Sequence, residues 1–550
     1  MAHLPHLLLA VLVLTLAEAG WTWGPVAPWA AALLLPLPHL IVLSGRNLTG
    51  RGAFRAGLLV GTLGRFSGAL VYGLLMLGCG WLSWLRAATG AALDLDGWPE
   101  PALLYALAPF VLYEVLSIDA QSRSAWPPGR ERGRWRAFQL RMFATALVPG
   151  LLFYGLALAV GSVPWLRVHV EQVQLAGAVF LVLLLVGMMV QLPTLLTVSW
   201  RTRPLEDPEL QALFAEVSER AGFRARRVRV WETGNLVANA AIVGLLPSRR
   251  DVLLSDSLVA QLEPEELAAV FAHEVGHSRC NHVPTFLAWA MAFMLGGNLV
   301  ADLAGGLFPG AGLVVLGVTF AGWLLAFGWM SRRFELQADL FAMRTTGSGR
   351  PLIMALEKVG GNLRDIGSWR HFGTSRRAAF LVRAAADKLW AWRFEQRLFR
   401  IGTVGYGAFA LVALIQVVLL FRALPEDRTW AALALGDYEA AARRIERLVD
   451  PEPALAGLVS RAAGQDALSP EAELERGLRA VEAGESEAAK EWVALAALRG
   501  HRSARHVARV LDALERDDLP VAMDGLWLLP RAWRSLLGAE VTRRLAAPDA

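Results

Sequence analysis

The chain has 550 residues, of which 55% are hydrophobic and only 19% are charged, and its mean hydropathy is +0.41. This composition excludes an intrinsically disordered chain and disagrees with an ordinary soluble enzyme, in which about a quarter of the residues are charged. The two cysteines, Cys79 and Cys280, exclude a disulfide framework and a cysteine-rich zinc ribbon. An integral membrane protein is therefore expected.

The net charge of +5 does not indicate a nucleic-acid partner. All but three of the 54 basic residues are arginines, and they are dispersed among loops without the single basic face that nucleic-acid binding requires. Arginine together with abundant Ala, Leu and Gly is typical of a GC-rich bacterial genome. We therefore expect a protein of the bacterial inner membrane, with the lipid bilayer as a partner.

Nine hydrophobic runs approach the length of about 20 residues that a membrane-spanning helix needs. The first run ends in Ala17-Glu18-Ala19, which resembles a signal-peptidase site, but no Lys or Arg precedes it. We interpret it as a helix, with a cleaved signal as the alternative. The runs are residues 4–19, 25–43, 66–85, 102–118, 143–160, 175–198, 283–303, 312–330 and 401–420.

Arginines in the short loops predict the orientation of these helices. Basic loops alternate with loops that are acidic or poor in arginine, which places the N-terminus and the segment from Arg201 onward in the cytoplasm. The basic loops contain Arg46, Arg51, Arg55, Arg123, Arg130, Arg132, Arg134 and Arg136, and the acidic loop contains Asp94, Asp96 and Glu100.

Residues 201–282 have the pattern of a small α+β insert. Helical spacing covers 205–221, alternation predicts a strand at 227–231, and 239–254 predicts a strand pair around Pro247-Ser248. A helix is expected to begin at Pro264, where a proline precedes two glutamates.

Residues 424–550 are polar and helical in composition. The segments around Gly436 and Gly484 resemble the helix–turn–helix junction of tetratricopeptide repeats, although their spacing of 48 residues differs from the 34-residue period. We interpret this region as helical hairpins with weak repeat character. It is a candidate surface for a protein partner.

The segment His273-Glu274-Val-Gly-His277 carries the clearest chemistry. Histidines at positions i and i+4 share one face of a helix and can bind one Zn²⁺. Glu274 would then lie beside the open metal position, where it can take a proton from the attacking water and pass it to the leaving amine. A surface helix that happens to carry two histidines is the alternative.

A second segment supplies the missing ligand. Zinc held by two histidines needs a third protein ligand, and Glu335 in Ser331-Arg-Arg-Phe-Glu335-Leu-Gln-Ala-Asp339 can serve. Asp339 lies one turn later and can fix the orientation of a zinc-bound histidine. The runs at 283–303 and 312–330 form a membrane hairpin between the two segments, so both are expected at the same membrane face.

These paired motifs resemble the integral-membrane zinc metallopeptidases of gluzincin type that include HtpX and the CAAX prenyl endopeptidases. The resemblance covers residues 205–385. It implies that His273, His277 and Glu335 bind one Zn²⁺ per chain, that Glu274 is the general base, and that Asp339 supports a ligand.

The resemblance also implies roles for residues outside the paired motifs. Asn239-Ala240 resembles the family's edge-strand segment, where an extended substrate can add as a strand; an ordinary turn asparagine is the alternative. His371 and Arg377 resemble the late His and Arg that can stabilise the oxyanion, although basic residues near a membrane are often only interfacial. His282 follows His277 by five residues rather than six, so we do not expect a ligand there.

The predicted fold is mainly α, a polytopic helical membrane protein with an inserted α+β zincin-like metallopeptidase domain. The expected function is a zinc endopeptidase that cleaves protein or peptide substrates, from membrane or misfolded proteins, at the cytoplasmic membrane surface. The alternatives are a signal-transducing protease with a C-terminal sensor, or a helical-repeat scaffold with an inert zinc site.

This fold has six predicted segments. The last of them, the C-terminal helical region, is expected outside the cytoplasm if the ninth hydrophobic run spans the membrane. They are an N-terminal membrane region with about six helices (1–200), the first part of the peptidase domain (201–282), a transmembrane hairpin (283–330), the second part of the peptidase domain (331–400), a transmembrane helix (401–422) and a C-terminal helical region (423–550).

Overall fold

The computed structural model divides into two compact units, residues 1–184 with 421–550, and residues 185–420. The predicted acidic loop at 94–100, and Arg51, Arg55 and Arg130, lie outside the residues it describes. The described residues are 3–18, 29–50, 60, 63–82, 84–85, 101–124, 132–244, 246–308, 310–361, 365, 367, 369–465, 468–501, 503–526 and 529–546.

Helices occupy most of the described parts of the nine hydrophobic runs. Among the described residues, six helices are long and apolar enough to cross a membrane, and they coincide with the fourth to ninth runs. In the described residues the first three runs form shorter apolar helices. The helices of the N-terminal region are α1 (Leu4–Glu18), α2 (Trp29–Leu34), α3 (Leu37–Gly50), α4 (Ser67–Gly73, continued by a π-helical turn at Leu74–Gly78), α5 (Pro101–Ala106), α6 (Ala108–Ser124), α7 (Arg132–Gly161), α8 (Pro164–Gln172) and α9 (Gln174–Ser199).

Helix α1 is part of the core of its unit. Ala10 and Val13 are buried on one of its faces, and they pack in a cluster with the fully buried aromatic side chains Tyr72, Phe110 and Tyr113. The first run thus forms a helix as predicted, and its crossing of a membrane stays a prediction. Its cleavage as a signal is not tested by this packing.

The C-terminal region is a series of short helices. The two junctions predicted around Gly436 and Gly484 are helix–turn–helix connections, and both glycines have φ +78, a conformation that favours glycine. The repeat relationship between them stays a prediction. The helices are α18 (Tyr438–Ile445), α19 (Pro453–Ala462), α20 (Pro470–Glu482), α21 (Ser486–Leu498), α22 (Ala504–Glu515), α23 (Leu519–Leu526) and α24 (Arg531–Ala546).

The other unit contains a four-stranded sheet with the order β1-β2-β4-β3. The strands predicted at 227–231 and in 239–254 are confirmed, and β3 pairs with β4 antiparallel while β2 pairs with β4 in parallel. Strand β1 was not predicted, because its three residues, Thr202, Arg203 and Pro204, show no alternation of apolar and polar side chains. The strands are β1 (Thr202–Pro204), β2 (Arg227–Trp231), β3 (Ala240–Val243) and β4 (Asp251–Ser255).

Helices cover the sheet and enclose the core of this unit. Its centre contains Phe214, Leu254, Phe271 and Leu340. The helices are α10 (Pro208–Arg220), α11 (Asp256–Gln261), α12 (Pro264–Arg279), α13 (His282–Ala304), α14 (Ala311–Thr346), α15 (Arg350–Gly360), α16 (Thr374–Ala386) and α17 (Lys388–Ala434).

Candidate metal centre and active site

Helices α12 and α14 bring the two motifs together. Helix α12 begins as predicted, with Pro264 in its first turn and a capping box between Glu263 and Glu266. A Cβ at Gly276 would lie 3.1 Å from the Cα of Ala338, so the glycine of the first motif allows the helices to approach closely. Helix α14 continues from its apolar segment through Glu335 and Asp339 without a break.

Three donor atoms converge between these helices. The Nε2 atoms of His273 and His277 are 3.2 Å apart, and they lie 3.5 Å and 3.6 Å from the carboxylate oxygens of Glu335. Ligands of a tetrahedral zinc ion, with bonds of about 2.0–2.1 Å, are separated by roughly 3.3 Å. The spacing of the donors thus fits a zinc ion bound by all three residues.

The other ring nitrogen of His273 faces Asp339. His273 Nδ1 lies 2.9 Å from Asp339 Oδ1, and Arg377 pairs with both oxygens of the same carboxylate, through Nε at 2.7 Å and through its second guanidinium nitrogen. Asp339 is fully buried. This arrangement leaves Nε2 of His273 on the side of His277 and Glu335, and the role of Asp339 in supporting a metal ligand stays a prediction.

His277 is held by a partner that the sequence did not suggest. His277 Nδ1 is 2.8 Å from His282 Nδ1, and His282 Nε2 is 3.0 Å from Gln337 Oε1. Because the amide oxygen can only accept, His282 donates from Nε2 and accepts at Nδ1 from His277. His277 Nε2 then keeps its lone pair, as a metal ligand must.

Burial and neighbouring charges shift the pKa values of the motif residues on α12. Burial opposes the charged form of His273, but the Asp339 and Glu335 carboxylates outweigh it and raise its pKa to about 10. Burial and the charge of His273 lower the pKa of His277 to about 3. Burial also raises the pKa of Glu274 to about 7, a value suited to a group that exchanges a proton near neutral pH.

His371 and Arg377 both reach the third predicted ligand. His371 Nδ1 is 3.2 Å from Glu335 Oε1, and its side chain is 47% exposed. Arg377 lies 3.8 Å from Glu335 Oε2 and is buried. The site therefore contains a buried guanidinium and an accessible imidazole on the side of Glu335.

Asn239 and Ala240 lie at the start of the edge strand. Ala240 is the first residue of β3 and pairs with Leu254 of β4, while the backbone of Asn239 bonds with Ser255. Because β3 ends the strand order, its other edge is left unpaired by the described strands. The position on an edge strand agrees with the prediction, and strand addition by a substrate stays a prediction.

Comparisons with known proteins match this part of the chain. Residues 204–382 match the model of Peptidase family M48. A protease HtpX homolog of Chlorobium phaeobacteroides is 26% identical over 34% of this chain and 66% of its own length. A protease HtpX homolog of Aeropyrum pernix is 30% identical over 30% of this chain and 57% of its own length. A CAAX prenyl protease 1 homolog of Arabidopsis thaliana is 31% identical over 28% of this chain and 41% of its own length.

A solved structure was also found. A crystal structure of Ste24p from S. mikatae is 16% identical, with a TM-score of 0.42, over 65% of this chain and all of that chain. The matched segment spans between about two fifths and two thirds of the length of the three sequence relatives. Within this chain, residues 204–382 form a domain of Peptidase family M48.

Proposed function

We propose that this chain is a membrane zinc endopeptidase. The observation that carries the proposal is the convergence of donor atoms from His273, His277 and Glu335 at separations of 3.2–3.6 Å. The zinc content and the catalytic role of Glu274, next to His273 in the chain, are inferred from this geometry and from the ligand types. One Zn²⁺ per chain is proposed at this candidate metal centre.

A bound zinc ion would supply Lewis acidity, which polarises the scissile carbonyl and acidifies water. Glu274 accepts the proton of the attacking water and returns it to the leaving nitrogen. Asp339 and His282 hold the two imidazoles so that their Nε2 lone pairs stay directed at the site. Arg377 and His371, on the side of Glu335, are the donors proposed for the developing oxyanion.

The proposed substrates are membrane or misfolded proteins in extended form. The free edge of β3, which begins at Ala240, supports binding by strand addition, because an extended peptide can satisfy unpaired backbone groups there. Loops rich in arginine support a cytoplasmic active site in a bacterial inner membrane. The long apolar helices α13 and α14, which adjoin the two motifs, support a site near the bilayer surface.

The test compares Glu274→Gln with Glu265→Gln in full-length protein purified in detergent. Glu265 is an exposed residue of the same helix, so the pair matches the chemical change. We expect both variants to retain zinc, Glu265→Gln to cleave casein like the wild type, and Glu274→Gln to lose about 10²–10⁴-fold in rate. Undiminished cleavage by Glu274→Gln, or a wild type without zinc, would contradict the proposal.

A further inference from the structure

A second group of metal-binding side chains lies in the N-terminal helical region. His3 and His6, at the start of α1, meet Glu114 from the middle of α6. The two histidines are 6% exposed and Glu114 is 1% exposed. We call this group the N-terminal cluster. An ionised carboxylate so deeply buried requires compensation by a cation or by protons on its neighbours.

The spacing of the N-terminal cluster resembles that of the candidate metal centre. His6 Nδ1 is 3.0 Å and 3.1 Å from the two oxygens of Glu114, and His3 Nδ1 is 3.5 Å from Glu114 Oε2. One donor atom from each residue lies within 4.8 Å of the others. These separations bracket the value of roughly 3.3 Å that tetrahedral zinc ligands adopt.

His3 supplies the second observation. Its Nε2 is 3.0 Å from Gln139 Oε1, and since that oxygen accepts, the ring proton of neutral His3 is on Nε2. The buried Nδ1 of His3 has no hydrogen-bond partner in the part of the chain that the structure describes. Its lone pair therefore faces a carboxylate oxygen, an arrangement that a cation between them would stabilise.

The helices around the cluster are packed too tightly for the arrangement to be a loose surface contact. A Cβ at Gly68 of α4 would lie 2.7 Å from Glu114 Oε1 and 2.9 Å from Glu114 Cα. The ring of Phe66 lies 4.6 Å from that of His6, and the ring of Phe143 lies 5.5 Å from that of His3. Only a residue without a side chain fits at position 68, so the carboxylate is fixed in place.

We propose that His3, His6 and Glu114 bind a divalent transition-metal ion, with zinc as the best fit to two imidazoles and one carboxylate. The ion ties α1 to α6, and Gln139 of α7 orients His3 in the way that outer partners orient metal-bound histidines. The site requires residues 3–6 to remain in the mature protein. The proposal is independent of peptidase activity.

The test measures zinc in full-length protein purified in detergent without a polyhistidine tag. The background variant His273→Ala/His277→Ala removes the candidate metal centre, so that zinc held elsewhere can be counted. In this background we expect about one zinc ion per chain, retained with Asp119→Asn and lost with Glu114→Gln. Asp119 is a matched control, a partly exposed carboxylate on α6 that pairs with Arg123 and Arg136.

Cobalt provides a readout of geometry. Cobalt added to the metal-free background variant should produce intense visible absorption bands of tetrahedral Co²⁺, and these bands should be absent after Glu114→Gln. Size-exclusion profiles identify any variant that fails to fold. If the His273→Ala/His277→Ala background variant fails to fold, Glu114→Gln and Asp119→Asn are compared as single variants of the wild type. Glu114→Gln should then hold one zinc ion fewer than Asp119→Asn.

Three results would overturn the proposal. The first is a folded background variant that holds no zinc, because the cluster is then only a buried ion pair. The second is equal zinc in the Glu114→Gln and Asp119→Asn proteins. The third is an intact mass that lacks the first residues, because a cleaved N-terminus removes two of the three ligands.

Discussion

The candidate metal centre and the N-terminal cluster each combine two histidines with one glutamate, yet their surroundings differ. The first has a further carboxylate, Glu274, beside a ligand, and it opens to solvent on one side, where His277 is 25% exposed. The second is closed, and each of its three members is at most 6% exposed. From these surroundings we propose hydrolysis at the first site and the joining of helices at the second.

The comparison teaches that the outer partners of a site decide its chemistry. At the candidate metal centre, Asp339 and His282 fix both imidazoles, and Arg377 adds a buried positive charge. At the N-terminal cluster, Gln139 is a neutral partner of His3. An enclosed site with a neutral outer partner can hold an ion, but it offers no accessible carboxylate to take up a proton.

The largest expected effect follows from removing the charge of Asp339. Asp339→Asn leaves the buried Arg377 without its carboxylate, which should cost about 3–5 kcal/mol of unfolding free energy. It also weakens the support of His273, so zinc affinity should fall by about 10–100-fold. Denaturant unfolding and chelator competition measure the two effects. Asp302→Asn, on an exposed carboxylate of α13, is the control, and equal results for both variants would contradict this account.

A smaller effect is expected from His282, because it acts only through His277. His282→Phe keeps an aromatic ring that can stack on Phe334, whose ring lies 4.3 Å away, but it removes the acceptor, so zinc affinity should fall by about 10-fold. His282→Asn should lose less, since its side-chain oxygen can accept from His277 Nδ1. Chelator competition measures both. If the His282→Phe and His282→Asn proteins bind zinc equally well, His282 is only a packing residue.

The smallest effect is expected from a single methyl group between α12 and α14. Gly276→Ala introduces a Cβ at 3.1 Å from both Ala338 Cα and Phe341 Cβ, and such overpacking costs about 1–3 kcal/mol. Gly133→Ala is the control, because no atom of the residues that the structure describes lies within 4 Å of its added Cβ. Only Gly276→Ala should lower the melting temperature in thermal unfolding. Equal melting temperatures for Gly276→Ala and Gly133→Ala would show that α12 and α14 are not in close contact.

The sequence predicts that His273, His277 and Glu335 lie together because the motifs are local patterns, and their binding of a metal stays a prediction. His273, Glu274 and His277 lie on one helical turn, and the hydrophobic runs that form α13 and α14 return the chain to Glu335. The helix start at Pro264 and the strands β2, β3 and β4 are equally local. Strand β1 has only three residues, and it is recognisable only by its pairing with β2.

The remaining features depend on tertiary contacts that have no period in the sequence. The motif spacing tests His282 only as a metal ligand. In the structure His282 instead contacts Nδ1 of His277, the ring nitrogen that does not face Glu335. Glu114 lies 108 residues beyond His6. From the sequence alone, a carboxylate at this position is as consistent with the membrane interface as with a buried cluster. Neither contact is predictable from spacing, because each depends on how separate helices pack.

The most direct test of the central claim is an anomalous difference map of the wild-type crystal, collected at the zinc absorption edge. The account predicts a peak at about 2.0–2.2 Å from His273 Nε2, His277 Nε2 and the Glu335 carboxylate, next to Glu274. No peak there, or a peak that takes His282 as a ligand in place of one of these three, would contradict it.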